Sequence, residues 1–204
     1  MWRQTFAILG LGAALALAAC RASAPAAARP SVTPSQAAPT ASPLEISFVD
    51  ALGRTVTAKI YLPADSGAKA PVVLFSHGLN ALPGDYQALF QRWTIAGFAV
   101  VAPAYALTHR GASPLKADDL TNQPADAIST LDRALASADL ANRLDGSNVV
   151  AAGHSEGALT TAGLFTACCR DPRLAGGIIL AGNDLGFQRY GFSGSPAPLL
   201  FVHG

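Results

Sequence analysis

Apolar and polar residues alternate along two short segments near the start of the globular part of the chain. Glu45–Asp50 and Thr55–Leu62 alternate in this way on either side of Gly53, which is typical of a hairpin of half-exposed strands. Continuous apolar runs follow, and each predicts a strand that is buried on both faces of a sheet. These runs are Val72–Phe75, Phe98–Ala102, Val149–Ala152, Gly177–Leu180 and Leu199–Val202.

The segments between the apolar runs carry helical spacing. Asp85–Ala96 places its large apolar residues three and four positions apart, and Gly97 follows as a natural C-terminal cap. Pro124 suits the first turn of a second helix, which Thr121 or Asn122 would cap. Strands that alternate with helices after a leading hairpin predict an α/β protein with a doubly wound, mostly parallel sheet.

Residues 1–20 are predicted to be a targeting segment outside the fold. Arg3 gives a basic start, and Phe6–Ala19 is almost wholly apolar but short for a membrane-spanning helix. The run closes on Leu17-Ala18-Ala19-Cys20, which resembles the bacterial lipobox, in which the cysteine is lipidated and becomes the new N-terminus. We therefore predict a lipoprotein signal peptide with Cys20 as its lipidation site. The alternative is an ordinary signal peptide with a chance cysteine.

Residues 21–43 are mainly Ala, Pro, Ser and Thr, with hardly a large apolar side chain. Such a segment buries too little surface to offset its ordering entropy, and its prolines stiffen it. We expect a semi-extended tether. It would hold the folded domain at a bacterial membrane after export, on the periplasmic or cell-surface side.

The charge and the cysteine content argue against nucleic-acid binding and against a metal or other cofactor. The chain carries 14 Lys+Arg against 13 Asp+Glu, a net charge of +1, so it has no basic surplus for binding nucleic acid.

Apart from Cys20, the cysteines are the adjacent pair Cys168 and Cys169. Because adjacent cysteines rarely bridge each other, we expect buried free thiols at a helix end. With no second ligand cluster, neither a metal nor another cofactor is expected.

A serine between two glycines follows the third buried run. Gly153-x-Ser155-x-Gly157 stands between the strand Val149–Ala152 and a run of small residues that predicts a helix to about Cys169. A serine hydroxyl is a poor nucleophile until a base takes its proton, and a strained strand–turn–helix elbow exposes it for that purpose. The pattern predicts Ser155 as a catalytic nucleophile. A glycine-rich structural turn is the alternative.

Acyl transfer also needs donors for the negative charge that develops on the substrate oxygen. The residue after the nucleophile, Glu156, should supply one backbone N–H, and the loop after the third strand should supply another. That loop begins with His77-Gly78-Leu79.

Two segments together, Pro71-Val-Val-Leu-Phe-Ser-His-Gly and Gly-His-Ser-Glu-Gly, resemble the α/β-hydrolase superfamily. The nearest resemblance is to secreted esterases of the dienelactone hydrolase, polyester hydrolase and platelet-activating-factor acetylhydrolase type. It covers Leu44–Gly204, which we take as one α/β-hydrolase domain. It implies that the Leu79 N–H is the second oxyanion donor and that the Leu79 side chain lines the acyl pocket.

The resemblance also implies that two catalytic residues are missing. Pro198–Gly204 resembles the family strand that leads to the triad aspartate, and the catalytic histidine comes later still. We therefore expect a domain truncated at its C-terminus. Asp184, after the fourth strand, is the candidate acid within the chain. None of the four histidines of the chain is favoured as the base; they are His77, His109, His154 and His203.

These features favour a lipid-anchored serine hydrolase that cleaves a small-molecule or polymeric carboxylic ester through an acyl-Ser155 intermediate. The alternative is a non-catalytic lipoprotein binding module or pseudo-hydrolase on the same fold. Haloalkane and epoxide chemistry is disfavoured because hydrolases of that kind carry aspartate at the nucleophile position.

Overall fold

The computed structural model describes residues 42–65, 67–182, 187–192 and 197–204. Its strands are β1 (Leu44–Val49), β2 (Thr55–Tyr61), β3 (Ala70–Ser76), β4 (Ala99–Ala104), β5 (Leu144–His154), β6 (Leu174–Leu180) and β7 (Leu199–Val202). Its α-helices are α1 (Gln87–Ile95), α2 (Gln123–Ala136) and α3 (Glu156–Gly163), with 3₁₀ helices at Pro83–Tyr86, Ala117–Thr121 and Gln188–Tyr190. No helix in these ranges is long and apolar enough to cross a bilayer. The predicted signal peptide with Cys20, nearly all of the tether and Asp184 lie outside the described residues.

The strands form one sheet in the order β1-β2-β4-β3-β5-β6-β7. β1 and β2 pair antiparallel, with Leu44 opposite Ile60 and Val49 opposite Thr55, so the predicted hairpin is confirmed. β2 is also antiparallel to β4, whereas the remaining neighbours pair in parallel. The mostly parallel sheet predicted from the sequence is therefore confirmed.

Helices cover both faces of the sheet, as a doubly wound fold requires. Val72 of β3 packs on one face in a cluster with Leu131 of α2, and Phe75 packs on the other with Phe90 of α1. Because successive side chains point to opposite faces, a strand covered on both sides is apolar at every position. β3 also pairs with β5, and this brings the loops at their carboxyl ends next to each other.

The helices α1 and α2 lie where the apolar spacing predicts them. The sequence predicts a helix over Asp85–Ala96, and the structure has a 3₁₀ turn followed by α1. Gly97 ends this helix with a φ of +93°, a left-handed conformation that glycine adopts without steric cost. Asn122 precedes α2 without capping it, and its Nδ2 instead donates to Asp119 at 2.7 Å.

The helix α3 is shorter than the sequence predicts. It ends at Gly163 rather than near Cys169. A Cβ on Gly163 would lie 2.8 Å from the Phe187 ring, and in the turn that follows the Ala167 N–H donates to the Gly191 carbonyl. A run of small residues is compatible with a helix, but these long-range contacts decide where it stops.

Cys168 and Cys169 form a disulfide with each other in this turn. Cys168 is exposed and Cys169 is partly exposed, so the expectation of buried free thiols is wrong on both counts. The error follows from the helix boundary, because adjacent side chains of a helix project about 100° apart, whereas this turn lets the two sulfur atoms meet.

A largely buried ion cluster joins the hairpin to α2. The Arg54 guanidinium contacts the carboxylates of Asp50, Asp119 and Asp126, the last with an Nη2–Oδ2 distance of 2.8 Å. Burial raises the pKa of Asp126 to about 7, although the positive charge of Arg54 opposes this shift. The partners are far apart in the chain, and no sequence pattern predicted the cluster.

Candidate functional site

Ser155 occupies a sharp turn between β5 and α3. The strand ends at His154 and the helix begins at Glu156, so the predicted strand–turn–helix is confirmed. Ser155 is exposed and has φ +55° and ψ −120°, a conformation that a non-glycine residue adopts only under strain. Its N–H donates to the Leu180 carbonyl at 2.9 Å, which holds the turn against β6.

Close packing requires both glycines of the elbow. A Cβ on Gly153 would lie 2.1 Å from the Gly157 carbonyl oxygen, and a Cβ on Gly157 would lie 2.1 Å from the Ser76 carbonyl oxygen. Both obstacles are backbone atoms, which no side-chain rotation can move aside. The first turn of α3 therefore lies directly against β3 and β5, and Ser155 is presented at the carboxyl edge of the sheet. Its role as a nucleophile stays a prediction.

His77 holds the loop that follows β3. Its buried ring donates from Nδ1 to the Gly78 carbonyl at 2.8 Å and accepts the Tyr105 N–H at Nε2 at 3.1 Å. Burial lowers the pKa of His77 to about 4, so the ring is neutral at neutral pH, as an accepting Nε2 requires. A Cβ on Gly78 would lie 3.2 Å from the Ser155 Cβ. His77 thus orients backbone that lies directly beside the elbow.

The predicted oxyanion donors are the backbone amides of Leu79 and Glu156. Within the described residues, neither N–H donates to a protein acceptor. The Gly78 carbonyl and the Leu79 N–H belong to one planar trans peptide and point in opposite directions. Because the His77 ring and the Ala81 N–H both donate to that carbonyl, the direction of the amide is held. Unpaired donors are what an oxyanion hole needs, and this role stays a prediction.

The Glu156 side chain is tied to α2. Gln123 Nε2 donates to Glu156 Oε1 at 2.9 Å and to Thr108 Oγ1 at 3.0 Å. The Oε1 atom of Gln123 accepts from the Thr160 hydroxyl. Burial raises the pKa of the Glu156 carboxyl, and the hydrogen bond from Gln123 opposes the shift. Sequence reasoning missed Gln123, whose only signal was a polar side chain just before Pro124 at a predicted helix start.

The four histidines are all engaged away from the Ser155 hydroxyl. Three of the rings donate to backbone carbonyl oxygens: His77 to Gly78, His109 to Tyr105 and His203 to Gly182. The fourth ring, His154, bonds to the Tyr86 hydroxyl. In the described part of the chain, no histidine ring is bonded to a carboxylate or to Ser155 Oγ. The candidate acid Asp184 lies outside that part. Ser155 therefore has no paired base among the described residues.

A groove of about 320 Å³ lies between β2 and the 3₁₀ helix Pro83–Tyr86. Its lining includes Thr55, Thr57, Asp85, Ala104 and His109. Ala104 ends β4, so part of the groove lies at the carboxyl end of that strand, but Leu79, Ser155 and Glu156 do not line it. None of the described residues form a group of three or more His, Cys, Asp or Glu side chains that could hold a metal ion.

A family model described as chlorophyllase matches residues 43–169. The match covers more than half of the chain and includes both the elbow and the loop after β3. The chain belongs to the chlorophyllase family. This assignment accounts for the paired motifs, because chlorophyllases are an α/β-hydrolase family.

Solved structures share the fold of this chlorophyllase-family chain. A lipase in its open form is 26% identical, with 67% of this chain and 43% of that one covered and a TM-score of 0.53. A ferulic acid esterase from Streptomyces cinnamoneus is 18% identical, with 78% and 63% covered and a TM-score of 0.57. An acylaminoacyl peptidase from Pyrococcus horikoshii is 17% identical, with 81% and 32% covered and a TM-score of 0.59. No curated protein sequence matches the chain.

The family match and these structures together confirm the α/β-hydrolase fold and superfamily. The chain spans less than two thirds of the length of each of the three proteins.

Proposed function

We propose that the protein is a carboxylic-ester hydrolase that works through an acyl-Ser155 intermediate. The observation that carries the proposal is the elbow, on which an exposed, strained serine is flanked by glycines that cannot be replaced without moving backbone. Ser155 Oγ would attack the ester carbonyl carbon, lose its proton to a base and expel the alcohol, and water would then release the acid. The Leu79 and Glu156 amides would bind the negative oxygen of each tetrahedral intermediate.

The substrate is proposed to be a small-molecule or polymeric ester. The chlorophyllase family match supports ester chemistry, as do the esterase and lipase among the structural neighbours. Leu79 is 42% exposed, which leaves its side chain free to line an acyl site next to its own amide. We also propose export and anchoring to a bacterial membrane through a lipidated Cys20, supported by the apolar run that ends in Leu17-Ala18-Ala19-Cys20.

A second candidate is a pseudo-hydrolase that binds an ester or acid without turning it over. It is favoured by one observation, that within the described residues no base is bonded to Ser155 Oγ. A binding module of this kind would keep the elbow and the groove but would not form a covalent intermediate.

The test is covalent labelling of the full-length gene product with a fluorophosphonate, alongside turnover of p-nitrophenyl esters. We expect one adduct, located at Ser155 by peptide mass spectrometry, and ester hydrolysis; both should be lost in Ser155→Ala. Ser147→Ala is the matched control, because Ser147 is an exposed serine of β5 whose hydroxyl, among the described residues, bonds only to Asp145. No adduct and no hydrolysis, with saturable ester binding, would reject the hydrolase in favour of the binding module.

A further inference from the structure

The Tyr86 hydroxyl contacts a residue of the loop after β3 and a residue at the elbow after β5. Its Oη accepts the Gly78 N–H at 3.0 Å and lies 3.1 Å from His154 Nδ1. A phenol has one proton to donate. While it accepts from Gly78, Oη can therefore donate to His154 Nδ1 or accept from it, according to the ring tautomer.

The two partners of this hydroxyl directly precede the residues that matter for chemistry. Gly78 is followed by Leu79, whose N–H is one candidate oxyanion donor, and His154 is followed by Ser155. A Cβ on Gly78 would lie 3.4 Å from Tyr86 Oη and 3.2 Å from the Ser155 Cβ. The Tyr86 hydroxyl therefore joins the loop after β3 to the elbow after β5, beside the close approach of Gly78 to Ser155.

The Tyr86 ring is held firmly enough to act as a support. It lies 4.7 Å from Phe75 and 6.1 Å from Phe90, centroid to centroid. The preceding residue, Asp85, accepts the Leu82 N–H and pairs with Arg110 at 2.5 Å, which secures the 3₁₀ helix that carries the ring. Burial raises the pKa of the Tyr86 phenol, so the hydroxyl keeps its proton throughout the neutral range.

We propose that Tyr86 is a positioning residue, whose hydroxyl sets the placement of the Leu79 amide relative to the Ser155 elbow. The inference rests on the proposed ester hydrolysis and adds a specific determinant of its geometry. Without the hydroxyl, the buried Gly78 N–H loses its acceptor and His154 Nδ1 loses its hydrogen-bond partner. The loop and the elbow are then no longer joined at that point.

Tyr86→Phe is expected to lower kcat with little change in KM. A displacement of about 1 Å at a reacting group costs on the order of 100-fold in rate, and loss of a whole oxyanion donor costs about 100- to 1000-fold. Because the Leu79 amide is displaced rather than removed, we expect a loss of about 10- to 100-fold in kcat/KM, carried by kcat.

Tyr61→Phe is the matched control. Tyr61 belongs to the same aromatic cluster, with its ring 4.9 Å from Phe90, and in the described residues its hydroxyl has no hydrogen-bond partner. Both variants remove one hydroxyl and keep the ring. In the full-length protein, three quantities are compared: kcat and KM for a p-nitrophenyl ester, affinity for phenylboronic acid, and the hydrogen-exchange rate of the Gly78 amide measured by NMR.

We expect Tyr86→Phe to have a lower kcat, weaker boronate binding and faster hydrogen exchange at the Gly78 amide than the wild type. Tyr61→Phe should match the wild type in all three. Equal losses in both variants would show a packing effect and overturn the proposal. Unchanged Gly78 exchange, or unchanged kcat per correctly folded molecule, would overturn it as well. Failure of the proposed function is a separate result, seen as a wild type no more active or reactive than Ser155→Ala. In that case the Gly78 exchange rate alone decides whether Tyr86 positions the loop.

Discussion

Gly157 lies so close to Ser76 that a Cβ added to the glycine would be 2.1 Å from the serine carbonyl oxygen. The contact seats the first turn of α3 on the end of β3, and it sets how far Ser155 projects. We expect Gly157→Ala to destabilise the protein by about 2–3 kcal/mol or more, because backbone rather than a side chain must move. Urea denaturation measures the change. Gly84→Ala is the control, since no atom lies within 4 Å of its Cβ position; similar losses in both variants would contradict the argument.

Removing the Ser155 side chain in two ways separates strain from chemistry. Ser155→Ala and Ser155→Gly both delete the nucleophile, but only glycine tolerates φ +55° with ψ −120° without steric cost. We expect the glycine variant to be the more stable by about 1 kcal/mol, measured by urea denaturation. An alanine variant of equal or greater stability would show that the elbow stores no strain.

The absence of a bonded base among the described residues predicts weak catalysis by residues 1–204 alone. An oxyanion hole and substrate binding without a working triad retain about 10³- to 10⁴-fold acceleration over water, orders of magnitude below a complete triad. Ester turnover by the 204-residue chain and by its Ser155→Ala variant gives the comparison. Strong turnover that depends on Ser155 would contradict the prediction. Its further loss in His109→Ala would then identify His109 as the base, with Asp184 to be tested next as the acid.

Asp126 should make stability depend on pH near neutrality. Its pKa is about 7 in the folded protein against about 3.9 in an unfolded chain, so between these values the folded state binds the extra proton. The contribution of Asp126 to stability should therefore fall as pH rises from about 4 to 7 and change little above that range. His77, whose pKa burial lowers to about 4, acts in the opposite direction over much of the same range, so the comparison with Asp126→Asn isolates the Asp126 contribution. Urea denaturation across the range measures the slope, and Asp126→Asn should remove this component. The neighbouring Asp50 contributes only at lower pH, because hydrogen bonds from Arg54 and Leu52 outweigh its burial and lower its pKa. An unchanged slope in Asp126→Asn would be inconsistent with this assignment.

Cys20→Ser should leave the protein without its lipid. If the predicted lipobox is used, the variant moves from the membrane fraction to soluble or unprocessed forms, and intact-mass measurement shows no lipid. The matched control is Cys168→Ser, which changes a cysteine of the folded domain and should leave the membrane fraction unchanged. A Cys20→Ser protein that still fractionates with membranes at the wild-type mass would count against lipidation.

The sequence by itself determined the sheet and the elbow, because their causes are local. An apolar run such as Val149–Ala152 forms a buried strand wherever helices cover both of its faces. The glycines at 153 and 157 indicate a close backbone approach at the next turn, and in the structure a Cβ at either position would lie 2.1 Å from a backbone oxygen. The hairpin around Gly53 follows in the same way from alternation and a turn.

Only the tertiary structure decided which distant side chains meet around that elbow. Gln123 reaches Glu156 across 33 positions, and Tyr86 reaches His154 across 68. Arg54 joins Asp126 across 72. Polar side chains carry no periodic signal, so their pairing depends on the angle and distance at which helices pack on the sheet. The end of α3 and the disulfide in the turn behind it depend on the same packing, which is why the local pattern predicted both wrongly.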